Sequence, residues 1–142
     1  MSSTFIEDMR EIANDKTLAQ QILDKEREEK EEKFQQQQEK VKHELFLKLS
    51  KKYYNLITEA IRLASLSGRT YKYMNFYRED FKANFPGVGN PVKIQEEWLN
   101  ELCKEGSQYI PSDGRCLNGL KFSIWNNRSF TTFFSWDNTQ NV

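Results

Sequence analysis

Apolar positions along this chain fall into blocks with different periods. Phe5, Ile6, Met9, Ile12 and Ala13 recur at helical spacing, and Leu18, Ala19, Ile22 and Leu23 repeat the pattern after Asn14-Asp15. Those two polar residues either cap a second helix or sit inside one continuous helix. From Lys16 to Ser67 there is no Pro or Gly, and the middle is built from Glu, Lys, Arg and Gln, all good helix formers. Glu26 with Lys30 and Glu29 with Lys33 add i,i+4 pairs in the better orientation. The spacing therefore predicts a long helix that stops at Ser67-Gly68. Within it, Asp24 to Lys40 contains one apolar side chain, Phe34. A helix that is polar all round usually bridges solvent, so this stretch reads as a strut; the alternative is a disordered charged and Gln-rich linker.

Beyond the strut, Phe46, Leu49, Tyr53, Leu56, Ala60 and Leu63 follow alternating spacings of three and four, and Ile57 and Ala64 widen the stripe. That pattern suits a coiled coil or, equally, a helix packed on its own domain. About fifty helical residues at 1.5 Å rise span roughly 75 Å. A compact domain of about 75 residues has a radius of gyration near 11 Å, so the helix is expected to project beyond its own domain.

After Gly68 the period changes. Tyr71, Tyr73, Asn75 and Tyr77 alternate with Lys72, Met74 and Phe76, which predicts a strand with aromatic residues on both faces. Glu79 to Phe85 reads as a short helix ended by Pro86-Gly87-Val88-Gly89. Asn90-Pro91 supplies a cap and a first-turn proline for a helix whose Ile94, Trp98 and Leu102 share a face. Asn118-Gly119 is a hairpin signal if Arg115 to Leu117 forms a strand. Leu120 to Trp125 alternates well, Asn126-Asn127-Arg128 reads as a turn, and Phe130, Thr132, Phe134 and Trp136 share one face with Phe133 on the other. The tail from Asp137 to Val142 is polar and expected to fray. The sum is an α+β fold with an antiparallel sheet: residues 1–45 form an N-terminal helical arm for association and 46–142 a small domain.

Composition sharpens this division. More than half of the charged residues precede Tyr53, whereas all three Trp and all six Tyr lie from Tyr53 onward. Lys plus Arg balances Asp plus Glu at 21 each, so no net field draws the whole chain to nucleic acid or an anionic membrane. No run approaches the roughly 20 apolar residues of a membrane span, and the N-terminal stretch lacks the order of a signal peptide. An intracellular, cytoplasmic setting is expected. Cys103 and Cys116 read as reduced thiols, and the Asn127-Arg128-Ser129 sequon as chance.

Candidate chemistry is sparse. His43 is the single histidine, on a charged helix between Lys42 and Glu44, so Ser-His-Asp and Cys-His catalysis lack a base and zinc sites lack ligands. Nucleotide-binding glycine loops are missing, and no cofactor is expected. Glu79, Asp80, Glu96, Glu97 and Asp113 are ordinary surface acids by context. The expected function is therefore non-enzymatic: a structural or assembly protein binding a protein partner, or itself, through Phe5, Ile6, Met9, Ile12, Leu18, Ile22 and Leu23. The rival reading is a single-stranded nucleic-acid module. Tyr71, Tyr73 and Tyr77 lie among Arg69, Lys72, Arg78 and Lys82, a mixture of stacking faces and positive charge; Arg115, Lys121 and Arg128 near Trp125 form a weaker collection.

The stretches "DFKANFPGVGNP", "EEWLNELC" and "GLKFSIWNNRSFTTFFSW" resemble segments of small uncharacterised proteins encoded by large double-stranded DNA viruses. The likeness spans Tyr71 to Trp136 and excludes the charged helix. It implies an infected cell or a virion as the setting, with an assembly role, and carries over no catalytic residue.

Overall fold

A computed structural model describes residues 4–125 and 130–137. The expected turn and sequon at Asn126 to Ser129, with Arg128, and the tail after Asp137 lie outside the described residues. The chain divides into two compact units, Met1–Glu39 and Lys40–Val142. The boundary precedes the expected one because Val41 and Leu45 already pack against the core of the second unit.

In the first unit α1 spans Phe5–Asn14 and α2 begins at Lys16, running to Leu66 in the second unit. Thr4 opens α1 with a capping box. Its hydroxyl accepts from the Glu7 N–H at 3.2 Å, and its own N–H donates to the Glu7 carboxylate at 3.4 Å. Asp15 divides the helices. Its backbone is extended, its N–H bonds back to Glu11 and Ile12, and its carboxylate accepts from the Leu18 N–H at 3.1 Å. One residue thus ends α1 and caps α2, which settles the arm as two helices.

In the second unit α2 closes at Gly68, whose φ of +80° lets the Arg69 N–H reach the Ala64 carbonyl at 2.9 Å. Strand β1 (Tyr71–Asn75), a 3-10 helix (Arg78–Phe81), α3 (Pro91–Cys103), β2 (Lys121–Trp125) and β3 (Thr131–Ser135) follow. The fold is α+β. All three strands pair antiparallel in the order β1-β3-β2, with Tyr73 opposite Phe133 and Phe133 opposite Ser123. Asn90 caps α3, its side-chain oxygen accepting from the Lys93 N–H at 2.9 Å, and Ile94, Trp98 and Leu102 are all buried.

The core lies between α2, α3 and the inner sheet face. Tyr53, Phe76, Phe81, Trp98, Phe130 and Phe134 meet edge to face or tilted, with ring centroids 4.9–6.2 Å apart where they touch, apart from the stacked Tyr53–Phe81 pair. Two polar bridges cross it: Trp98 donates its indole N–H to Ser50 at 2.9 Å, and Gln95 donates to Thr132 at 2.6 Å. Among the described residues Phe130 is the one non-glycine with positive φ, at 47°. Its ring is buried on Phe81 and lies under the Arg78 guanidinium at 5.0 Å.

Four expectations need correction. The buried stripe of α2 is Phe46, Leu49, Ser50, Tyr53, Tyr54, Ile57 and Ala64, while Leu56 and Leu63 are 55% and 53% exposed. Packing selects the face that brings Ser50 to Trp98 and Tyr53 to Phe81. Strand β1 stops at Asn75, short of the expected Tyr77: Tyr71 and Tyr73 share its outer face, Phe76 just beyond its end is buried in the core, and Tyr77 stays exposed. The helix expected over Glu79 to Phe85 is a single 3-10 stretch ending at Phe81. No strand forms over Arg115 to Leu117, because Tyr54 Oη holds the Arg115 carbonyl at 2.6 Å; Asn118-Gly119 makes a turn closed by Leu120 N–H to Leu117 O at 3.1 Å, but not a hairpin.

Candidate interaction surfaces

The first unit presents one apolar face. Phe5 and Ile6 are 71% and 55% exposed, Met9 and Leu23 41% and 54%, and Ile12, Leu18 and Ile22 are covered only in part. No residue of α1 is buried. All seven residues singled out by spacing therefore lie at the surface of their unit. Lys16 sits at the first turn of α2, between Ile12 and Leu18.

The second unit presents an aromatic sheet face. Register settles which side chains share it, since successive residues of a strand alternate between faces. The Phe76 N–H bonds the Phe130 carbonyl at 3.2 Å and the Trp136 N–H the Thr70 carbonyl at 3.0 Å, extending the β1–β3 ladder at both ends. One face carries Phe134, Thr132, Met74, Phe122 and Ile124 and packs on the core. The outer face carries Tyr71, Tyr73 and Asn75 on β1, Thr131, Phe133 and Ser135 on β3, and Lys121, Ser123 and Trp125 on β2. Tyr73 contacts Phe133 at 4.9 Å and Trp125 at 5.4 Å between centroids, and Tyr71 contacts Phe133 at 6.1 Å. Tyr71, Tyr73 and Trp125 each remain nearly half exposed.

This arrangement separates the residues of the expected nucleic-acid strand. Tyr71 and Tyr73 share the outer face; Lys72 alternates to the opposite one and pairs with Phe134 in register. Arg69 immediately precedes β1, and Arg78 lies on the Phe130 ring. Trp125 and Phe133 join the tyrosines through pairing between distant segments, which single-strand alternation does not reveal.

Titratable groups elsewhere serve packing. Asp80 accepts hydrogen bonds from Tyr53 Oη and from Lys52 Nζ, the latter at 2.6 Å, and the Tyr77 N–H donates to Tyr53 Oη at 3.2 Å. Burial raises the Tyr53 phenol, and the Asp80 hydrogen bond adds to this, pushing it up to about 12. Burial also pushes Asp80 upward, but the hydrogen bonds from Lys52 and Tyr53 and the charges of Lys52 and Lys48 outweigh it and hold the carboxyl below its ordinary value. Glu79 pairs with Lys82 at 2.8 Å and Glu97 with Lys42 at 3.2 Å. His43 lies at the surface with Nδ1 3.1 Å from Tyr109 Oη. Cys103 and Cys116 are unbridged, and burial lifts the Cys103 thiol to about 11. An open groove of about 520 Å³ runs between α3 and β2, lined by Val92, Glu96, Asn100, Leu120, Phe122 and Ile124 among others. Among the described residues no group of three or more His, Cys, Asp or Glu is placed to hold a metal, and no helix is long and apolar enough to cross a membrane.

No family model, curated protein or solved structure matches this chain.

Proposed function

We propose that this chain is a non-enzymatic association protein that docks the apolar face of α1 and the first turns of α2 onto a protein partner or onto the same segment of a second copy. The exposure of Phe5, Ile6, Met9 and Leu23 carries this reading. Burying a large apolar side chain is worth about 1.5–3 kcal/mol, so four such side chains left in water represent a strong drive to be covered. An amphipathic helix meets that need either in a groove or in a helical bundle. The polar stretch from Asp24 to Lys40 then acts as a spacer between the association face and the folded domain. The resemblance of Tyr71 to Trp136 to small proteins of large double-stranded DNA viruses supports setting this role in assembly, in an infected cell or a virion.

The test places a photoreactive phenylalanine at Met9 and, as control, at Glu28, in the full chain inside cells that make it. Irradiation is expected to give an intermolecular adduct from position 9, to a second copy or to another protein, and none from position 28. An adduct from position 9 that maps within the same chain, to residues 40–137, overturns the proposal.

A further inference from the structure

The outer sheet face holds a second and independent feature. Its nine side chains are four aromatic rings, four small hydrogen-bonding groups (Asn75, Thr131, Ser123 and Ser135) and Lys121; none is acidic, in a chain with 21 acids. We infer that this face is a stacking platform for single-stranded nucleic acid, with Tyr71, Tyr73, Phe133 and Trp125 as the base-stacking residues and Lys121, with Arg69 at the head of β1, as the phosphate contacts.

Three observations point to this occupant over an apolar protein surface. Tyr71 and Tyr73 stand two positions apart on one strand, about 6.6 Å at 3.3 Å rise per residue, so successive splayed bases can meet successive rings. Phe133 on β3, opposite Tyr73, and Trp125 on β2, in line with Asn75 through Thr131, extend the rings across all three strands. Thr131 is buried and donates to Asn75 Oδ1 at 2.7 Å; the exposed Asn75 amide and Ser123 hydroxyl between the rings offer partners for the polar edges of bases, whereas a second protein core laid on the same face would desolvate them. The local charge is net positive: Lys121 lies on the face and Arg69 at its edge, against one carboxylate, Asp137, two positions beyond Ser135, which suits a phosphate backbone even though the whole chain is neutral. The helical association face takes no part, so the two readings stand or fall separately.

The experiment is fluorescence polarisation of the full chain with labelled oligo(dT) and oligo(U) of about 12 nucleotides, a length within the range bound by single-strand modules. Binding is expected, weakening between about 50 and 200 mM salt. Tyr73→Ala and Trp125→Ala are each expected to weaken it by at least about fivefold, the lower end of what one stacked base contributes. Lys121→Glu, which removes no ring and leaves the core untouched, is expected to weaken it as well and keeps the test valid if an alanine variant fails to fold. Leu66→Ala, at an exposed site on α2, should bind as the unaltered chain does. Absence of binding at low salt overturns the proposal, as does binding that Tyr73→Ala, Trp125→Ala and Lys121→Glu all leave unchanged. A dimer that Trp125→Ala dissociates would also overturn it, by assigning the face to a second copy.

Discussion

Replacing Ile57 by Ala probes the packing of α2 on its domain, because Ile57 and its neighbour Leu56 lie on opposite sides of the buried boundary. Ile57 is 0% exposed and Leu56 55% exposed, although both belong to the same apolar stripe by spacing. Ile57→Ala removes three methylene-sized groups, about 2.4 kcal/mol of transfer free energy at ~0.8 kcal/mol each. The cavity left in a core of interlocked rings adds to this, so the loss falls within the roughly 2–5 kcal/mol seen for such truncations. Even about 2 kcal/mol lowers the melting temperature of a domain of about 100 residues by roughly 8–16 °C. Leu56→Ala removes a side chain already in water and should stay within about 0.5 kcal/mol. Urea unfolding followed by tryptophan fluorescence, to which buried Trp98 contributes, measures both, the midpoint falling for Ile57→Ala with an unchanged slope. A large loss for Leu56→Ala with little for Ile57→Ala would refute the assigned face of α2.

Other consequences test separate contacts. Gly114→Ala should destabilise by about 1–3 kcal/mol, against the usual benefit of alanine in a loop, because its Cβ would stand 2.8–2.9 Å from the Tyr54 ring and hydroxyl; thermal unfolding reads the sign. Asp80 has a lowered pKa in the folded state, so its contribution is present above the unfolded value of about 3.9 and is lost as pH falls through the folded one. Asp80→Asn should therefore flatten the acid limb of a stability-against-pH curve. Tyr53 and Cys103 are raised instead, so what they contribute is fully present below their unfolded values and fades as pH climbs, from 9.0 to about 11 for the thiol and from 10.0 to about 12 for the phenol. Tyr53→Phe should lessen the phenol's share of the alkaline loss, as read by urea unfolding across that range.

Local signals in the sequence were enough for elements whose cause is local. Asn90-Pro91 and the spacing of Ile94, Trp98 and Leu102 define α3, and the alternation around Phe133 assigns the faces of β3. What escaped depends on contacts between distant segments. Leucine and tyrosine look alike in a hydrophobic pattern, so only partners on distant segments, Trp98 for Ser50 and the Gly114-Arg115 backbone for Tyr54, reveal the face that α2 buries, with Leu56 outside it. Asn118-Gly119 supplies a turn whatever flanks it, and the strand expected before it lost to the Tyr54–Arg115 contact. The aromatic platform was half legible: Tyr71 and Tyr73 stand out in one segment, but Trp125 and Phe133 join them only through the β1-β3-β2 order. The helical spacing of Phe5, Ile6, Met9 and Leu23 is local, and all four are exposed, while Ile12, Leu18 and Ile22 are partly covered.

On the proposed function the N-terminal face is presented for association and is not part of the chain's own core. The most direct test is the melting temperature of the domain, followed by tryptophan fluorescence, since all three Trp lie in it, in dilute monomeric protein, for the unaltered chain and for Ile12→Asp with Ile22→Asp. The face being outside the core, the two should agree within about 2–4 °C, the shift that a surface change of about 0.5 kcal/mol produces in a domain of this size. A fall of about 10 °C or more would mean that Ile12 and Ile22 pack against the domain, and would contradict the claim.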